Sequence, residues 1–224
     1  MIKVKNLQKV YGKGPIATHA LKGIDIEVKP GEFVAIMGRS GSGKSTLLHI
    51  LGLLDMPTGG EIYIENEDVL KLSEGERARF RLEELGYVFQ EYSLLGEMTI
   101  LENVYLPALC LAKKNNYRKR AVEMLETVGL GDRLYHYPSE SSGGEQQRAA
   151  IARALINSPK ILFADEPTAS LDAASAKVVL ELFRKLNKDS GQTIVMVTHE
   201  PEDKKYVDRV IWLKDGLVWE KNQQ

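Results

Sequence analysis

Cysteine is almost absent from this chain of 224 residues, since Cys110 is its single example. One cysteine excludes an internal disulfide and a metal site built from several cysteines, and it is compatible with a reducing compartment. We interpret Cys110 as a small hydrophobic residue that is buried or half-buried in the fold.

An excess of one charge is also lacking, because 30 basic residues are balanced by 31 acidic residues and the net charge is -1. The chain therefore has no large field for holding nucleic acid, and we expect no nucleic-acid partner. The N-terminus does not have the form of a signal peptide, and no apolar run reaches the ~18 residues of a membrane helix. A membrane role would require another chain.

Short apolar runs recur along the sequence and predict strands, several of them buried on both faces. The runs are residues 24–28, 33–37, 85–89, 161–164, 194–197 and 210–213, and the alternating residues 1–7 predict a first strand. Helical patterns lie between them, for example Val179, Phe183 and Leu186 before a stop near Gly191. This alternation predicts an α/β fold with a largely parallel sheet.

The central part of the chain has a different character. Residues 91–159 carry helical patterns and few strand signals. We interpret them as a helical lobe inserted into one α/β core, which is then formed by residues 1–90 and 160–224.

A glycine-rich segment follows the predicted strand 33–37 and precedes an apolar helix that starts near Thr46. Its residues match the pattern G-x-x-x-x-G-K-[ST] and are Gly38, Arg39, Ser40, Gly41, Ser42, Gly43, Lys44 and Ser45. The backbone amides of such a loop surround phosphates at a helix N-terminus. Lys44 is expected to reach the β- and γ-phosphates of ATP, and the Ser45 hydroxyl to ligate Mg²⁺. An ordinary Gly-Ser loop would lack this strand and helix context.

Two carboxylates end another apolar strand, because Asp165 and Glu166 follow residues 161–164. Acidic groups at the end of a buried strand are costly unless charge partners lie there. Asp165 is the expected magnesium partner, and Glu166 is placed to orient or deprotonate the water that attacks the γ-phosphate. The simpler alternative is a strand end followed by a turn at Pro167.

Further segments make the sequence resemble the ATP-binding cassette (ABC) ATPases over essentially its whole length. Residues 142–148, which we call the signature segment, are similar to the family signature. Gln90 corresponds to the glutamine loop of the family, Asp172 to its aspartate loop and His199 to its switch histidine. Tyr11 lies where the family stacks an aromatic ring on adenine.

The resemblance implies a P-loop NTPase core of the RecA-like, ABC type, with a β-rich N-terminal part and an inserted helical subdomain. It also implies a homodimer that forms head to tail on ATP binding, with two ATP molecules between the phosphate loop of one protomer and the signature segment of the other. The catalytic residues would be Lys44, Glu166 and His199, and the metal ligands Ser45, Gln90 and Asp165. Nucleotide contacts outside the phosphate loop would come from Tyr11, Thr46, Gln90, Ser142, Gly143, Gly144 and Asp172.

The signature segment departs from the usual Leu-Ser-Gly-Gly-Gln at two flanking positions, Ser141 and Glu145. Ser141 replaces an apolar anchor. Glu145 follows Ser142 by three residues, and this spacing predicts a capping box at the start of a helix. A capped helix N-terminus still offers free amides to phosphate, so the cap and the phosphate contact are compatible.

Within the family, residues 52–60 and 101–104 resemble the branch that serves lipoprotein release and macrolide export. That resemblance implies an integral-membrane permease as a separate partner and a peripheral location on the cytoplasmic face of the cell membrane. Apolar residues in the probable loop after Gln90, namely Tyr92, Leu94, Leu95 and Met98, would either pack the lobe against the core or dock the permease.

Other functions remain open at this level. A soluble ABC-type ATPase acting on ribosomes or nucleic acid is one, although related proteins of that kind resemble duplicated cassettes or carry a long coiled coil. A GTPase would require Asn-Lys-x-Asp, which Asn187-Lys188-Asp189 misses by one residue, and a small-molecule kinase would leave the signature segment unexplained. Individually, His199 could be a strand-end histidine, Tyr11 could cover a sheet edge, and Gln90 could be an ordinary polar residue after a strand.

Overall fold

The computed structural model describes residues 1–111 and 116–219, which form two sheets with helices around them. The parallel sheet has the order β10-β9-β3-β8-β7-β6, in which only β10 is antiparallel to its neighbour. Its strands are β3 (Phe33–Met37), β6 (Leu85–Val88), β7 (Ile161–Asp165), β8 (Thr193–Val197), β9 (Arg209–Lys214) and β10 (Leu217–Val218). The expected parallel core is therefore present.

The second sheet is antiparallel and is built from the N-terminal part of the chain, in the order β2-β1-β4-β5. Its strands are β1 (Ile2–Tyr11), β2 (Thr18–Val28), β4 (Gly59–Ile64) and β5 (Glu67–Asp68). The predicted strands 1–7 and 24–28 are confirmed, but both are longer than their apolar runs. Alternating polar residues extend β1 and β2 because only one face of this sheet is buried.

Six α-helices lie among these strands in the described part of the chain. They are α1 (Lys44–Leu51), α2 (Glu74–Glu84), α3 (Ile100–Cys110), α4 (Tyr117–Thr127), α5 (Gly143–Leu155) and α6 (Ala173–Ser190). The predicted end of α6 is confirmed, because Gly191 terminates it in the left-handed conformation at φ 64°. The buried face of α6 includes Val179 and Phe183, as its spacing predicts.

The core lies on both faces of the parallel sheet. All five residues of β3 and all five of β8 are buried, which confirms the expectation of strands covered on both sides. One apolar cluster joins this sheet to α1 and the antiparallel sheet, and a second joins it to α5 and α6. Burial on both faces fixes the strand ends, which carry the site.

Between residues 91 and 159 the structure describes helices and no strand. Helices α3, α4 and α5 share their own apolar cluster, to which Val104, Leu125 and Ala149 contribute. The inserted lobe and its bounds stay a prediction, as do the bounds of the core, and residues 112–115 and 220–224 lie outside the described part.

The interpretation of Cys110 is wrong, because the residue is exposed. Cys110 is the last residue of α3, and the buried residues of this helix lie in its first half, from Ile100 to Val104. Its neighbour Leu109 is also exposed. No helix within the described residues is long and apolar enough to cross a membrane.

Asp208 holds the beginning of β3, the strand that leads into the phosphate loop. Its carboxylate accepts hydrogen bonds from the Phe33 amide at 3.0 Å, from Arg184 at 2.8 Å and from Lys188 at 3.3 Å. Burial alone would raise the pKa of Asp208, but these hydrogen bonds outweigh burial and lower the pKa to about 2.

Asp208→Asn should therefore lower the free energy of unfolding by about 1–2 kcal/mol at pH 7. Because the folded-state pKa is depressed, this contribution is present above the unfolded pKa near 3.8 and is lost as the pH falls towards 2. Urea titrations between pH 7 and pH 2.5 should show the two proteins converging below pH 4. Asp132→Asn, at an exposed carboxylate, is the control, and a pH-independent difference would contradict the assignment.

Candidate functional site

The phosphate loop lies between the end of β3 and the start of α1. Gly43 is the residue before α1, with φ at 100°, and a Cβ atom there would lie 2.6 Å from the carbonyl oxygen of Ala20. A side chain is excluded for both reasons, which explains a glycine at this position. No side chain caps α1, so its first amides are available to an anion.

Lys44 is buried within the loop, with 7% of its surface exposed. Its ammonium donates to the carbonyl oxygen of Arg39 at 3.3 Å, a neutral acceptor that leaves the positive charge uncompensated by that bond. A buried cation beside free helix amides favours a multiply charged anion. The geometry is therefore suited to the predicted contact with phosphate.

Asp165 meets α1 at the carboxyl edge of the parallel sheet. One carboxylate oxygen accepts from the Ser45 hydroxyl at 3.2 Å, and the other lies 3.1 Å from Nε2 of His49. Two of the three residues predicted to hold magnesium, Ser45 and Asp165, are thus brought together across 120 positions of sequence. No cluster of three or more acidic, histidine or cysteine residues suited to a metal occurs in the described part of the chain. One carboxylate with a hydroxyl fits Mg²⁺, which keeps several waters and takes phosphate oxygens as ligands.

His49 belongs to this site and was missed by the sequence argument. Its hydrogen bond to Asp165, together with the negative charge of that residue, raises the pKa of His49. The available signal was its position four residues after Ser45 on the same helix, which places both side chains on one face.

Glu166 follows in a strained conformation. Its φ is 42°, a left-handed value that costs a residue with a Cβ atom roughly 1–3 kcal/mol. The Glu166 amide donates to the carbonyl oxygen of Val197 at 3.0 Å, and its carboxylate lies 3.2 Å from Nδ1 of His199. The hydrogen bond from the Glu166 amide to β8 thus holds the turn that directs the carboxylate towards His199. Two of the three predicted catalytic residues, Glu166 and His199, are therefore neighbours.

Tyr11 is held in place at the end of β1. Its hydroxyl donates to Asp55 at 2.7 Å, and Asp55 also accepts from the Lys9 ammonium at 2.7 Å. Lys9 lies over the Tyr11 ring, 4.7 Å from its centroid. Tyr11 remains 43% exposed, so its ring can offer a face to a planar base. Lys9 and Asp55, which hold it, were not among the predicted residues.

The predicted capping box at the signature segment is confirmed. Ser142 precedes α5 and exchanges hydrogen bonds with Glu145 in both directions. The pKa of Glu145 is lowered, mainly by the hydrogen bond from the Ser142 amide. The Ser142 hydroxyl and the charges of Arg133 and Arg148 lower it further, and together these effects outweigh burial, which would raise it. Glu145 therefore serves as a charged cap at the position where the family usually has glutamine.

The flanking Ser141 is half-buried and is joined to the same helix, because Gln146 donates to its carbonyl oxygen at 3.0 Å. Gly144 is buried against α6, where a Cβ atom would lie 2.8 Å from the Ser175 hydroxyl oxygen. These contacts seat the start of α5 without the apolar anchor that Ser141 replaces.

Other predicted residues are not brought to the phosphate loop. No hydrogen bond in the described residues joins Ser142, Gly143 or Gly144 to that loop, and Gln90 is exposed without a hydrogen bond. Asp172 caps α6 by accepting from the amides of Ala174 and Ser175 at 3.0 Å. One chain therefore holds a phosphate loop with its acidic pair, and a separate signature segment.

Comparison with known proteins identifies close relatives. A family model described as ABC transporter matches residues 21–169. An uncharacterised ABC transporter ATP-binding protein of Methanocaldococcus jannaschii is 53% identical over 221 residues, which is 98% of each chain. The macrolide export ATP-binding/permease protein MacB of Chlorobium luteolum is 49% identical over 97% of this chain, which spans 33% of that relative.

A solved structure agrees with this result. The ATP-binding cassette MJ0796, in a dimeric post-hydrolysis state bound to ADP and Pi, is 44% identical and superposes with a TM-score of 0.91 over 98% of this chain and 97% of that chain. The predicted fold class is thereby confirmed.

Glu166→Gln should keep nucleotide binding and lower turnover by about 100-fold or more, because it removes the charge and the base while keeping size and hydrogen bonding. Steady-state phosphate release and ATP affinity are the measurements. Lys44→Ala is the contrasting variant and should lose nucleotide affinity. Turnover of Glu166→Gln at the parent rate would show that Glu166 is not the hydrolytic residue.

Proposed function

Because this chain belongs to the ABC transporter family, as its ATP-binding and ATP-hydrolysing cassette, we propose that it drives a separate integral-membrane permease through ATP-dependent dimerisation. The observation that carries the proposal is the separation of the two halves of the site. Residues for phosphate and water lie at one edge of the sheet, whereas Ser142, Gly143 and Gly144 have no hydrogen bond to them among the described residues of the same chain.

In the proposed site, Lys44 and the first amides of α1 bind the β- and γ-phosphates. Ser45 and Asp165 would hold Mg²⁺, with Gln90 as a further ligand, and this ion would neutralise phosphate charge. Glu166 orients or deprotonates the attacking water, and His199, 3.2 Å from its carboxylate, contacts the γ-phosphate. Tyr11 stacks on adenine.

The dimer completes each site by symmetry. A head-to-tail pair would place the capped N-terminus of α5 from one chain against the γ-phosphate bound by the other, with Ser142 and Gly144 in contact. The dimeric ADP- and Pi-bound state of the related cassette MJ0796 supports this arrangement. Asp172, at the start of α6, would lie at the same interface.

The relatives named macrolide export ATP-binding/permease protein MacB support a permease as the partner, and this chain spans about a third of their length. In this system the permease would be a separate chain, and the cassette would lie on the cytoplasmic face of the membrane. A soluble ATPase acting on ribosomes or nucleic acid is not favoured.

The loop after Gln90 offers a docking position for the permease. Leu94 packs against the cluster of the helical lobe, whereas Leu95 is 43% exposed. Asn103 is buried and fixes this loop. Its side-chain oxygen accepts a hydrogen bond from the Leu95 amide, and its side-chain nitrogen donates one to the Leu95 carbonyl oxygen. An open cavity of about 260 Å³ lies nearby, lined by Phe89, Ser93, Pro107 and Arg153 among others. A short permease helix could insert there with Leu95 as a contact.

Dimerisation is tested by the concentration dependence of hydrolysis. Because each site requires two chains, the rate per chain should rise with protein concentration while dimers are sparse, and should then level off. Phosphate release across a thousandfold dilution series, with light scattering to report the dimer, measures this. A constant rate per chain from a demonstrated monomer would contradict the proposal.

Docking is tested by Leu95→Asp, measured with the permease that copurifies with this chain. The variant should fold, keep basal hydrolysis and lose permease association by tenfold or more, because a charge replaces an exposed apolar contact. Leu217→Asp, at a residue 46% exposed on β10, is the matched control and should bind normally. Unchanged affinity of Leu95→Asp would exclude Leu95 as a contact, and a loss of thermal stability would indicate a packing role.

A further inference from the structure

Gln147 is a fully buried polar residue in the second turn of α5, with 0% of its surface exposed. Its side-chain amide donates to the carbonyl oxygen of Pro167 at 2.7 Å and reaches that of Phe89 at 3.5 Å. The side-chain oxygen is also buried and has no hydrogen-bond partner among the residues that the structure describes. A glutamine here is therefore only partly satisfied.

The two carbonyl groups belong to the two loops that matter most for hydrolysis. Phe89 immediately precedes Gln90 after β6, and Pro167 immediately follows Glu166 after β7. Strands β6 and β7 are parallel neighbours, with Val88 opposite Ala164, so both loops leave the sheet side by side. The Gln147 side chain contacts both loops just beyond the last paired residues of the two strands.

Packing alone does not explain a glutamine at this position. The next buried residues of α5 are Ala149, Ala150 and Ile151, so an apolar side chain would suit the environment. A buried acceptor without a partner destabilises the folded state. The feature that glutamine adds is a pair of N–H donors aimed at two carbonyls, which an apolar residue of similar length cannot supply.

The same helix holds the loop after Gln90 at a second point. Arg153, near the end of α5, donates to the carbonyl of Tyr92 at 2.8 Å and also bonds that of Ser93. Both residues have left-handed backbone conformations, with φ at 55° and 53°. The path of the loop is thus fixed to α5 on either side of residues 90–91.

We propose that Gln147 is a positioning residue, which ties the turn carrying Glu166 and the base of the loop carrying Gln90 to the helix that begins with the signature segment. Movement of α5 would then reposition Glu166 and Gln90 together. The signature segment that a chain offers to its partner's ATP is in this way mechanically linked to the acid of its own site. The inference rests on the proposed roles of Glu166 and of the dimer.

Gln147→Met tests the link because it keeps the length of the side chain and removes both donors. We expect kcat to fall about tenfold, KM for ATP to stay within about twofold, and Tm to change little. Asn187→Leu is the matched control, since the Asn187 amide likewise bonds two backbone carbonyls, at 2.8 and 3.0 Å, far from the site. This control should lower Tm and leave kcat unchanged below its melting range.

A kcat of Gln147→Met equal to the parent value would overturn the proposal, as would a fall in kcat that only follows Tm, as in the control. Gln147→Asn, which keeps a polar amide but is too short to reach either carbonyl, gives the same contrast if the methionine variant does not fold. Glu166→Gln is measured in parallel. A slow Glu166→Gln beside a fully active Gln147→Met would reject the positioning role alone, whereas a fully active Glu166→Gln would reject the proposed function.

Discussion

The hydrogen bond between Ser45 and Asp165 joins the start of α1, the helix after β3, to the end of β7. These two strands are not neighbours, because β8 lies between β3 and β7 in the sheet. Parallel strands carry their carboxyl ends to one edge, and that edge is where the helix after β3 begins. The half-buried carboxylate of Asp165 is stabilised there by the Ser45 hydroxyl and by His49. The remaining contacts of the site are arranged around this pair.

Strain lies immediately beside this contact. Glu166 leaves the sheet in a left-handed conformation. Two hydrogen bonds fix it, one from the Glu166 amide to the Val197 carbonyl oxygen and one from the Gln147 side chain to the Pro167 carbonyl oxygen. A residue in such a conformation persists only where its surroundings determine it, and such residues are common at functional sites. Here the surroundings are β8 on one side and α5 on the other, so both elements position the Glu166 carboxylate.

Local chemistry explains how much of this could be predicted. Three features depend on residues only a few positions apart: the phosphate loop, the capping box at Ser142 and the helix end at Gly191. For each of them the sequence predicts the helix that the structure shows, namely α1, α5 and α6. The hydrogen bond of Tyr11 to Asp55 and the contacts of Gln147 depend on residues separated by 20 to 58 positions, which only the fold brings together. Cys110 was misjudged for the same reason, since burial depends on which elements cover a helix end.

In the proposed dimer, each ATP site takes its phosphate loop from one chain and its signature segment from a second. Mixing two inactive variants, Lys44→Ala and Ser142→Glu, tests this most directly, because one of the two sites in a mixed dimer would be assembled from unaltered halves. Hydrolysis should appear on mixing and be greatest near equal amounts of the two variants. A mixture no more active than its separate components, with mixed dimers demonstrated, would contradict it.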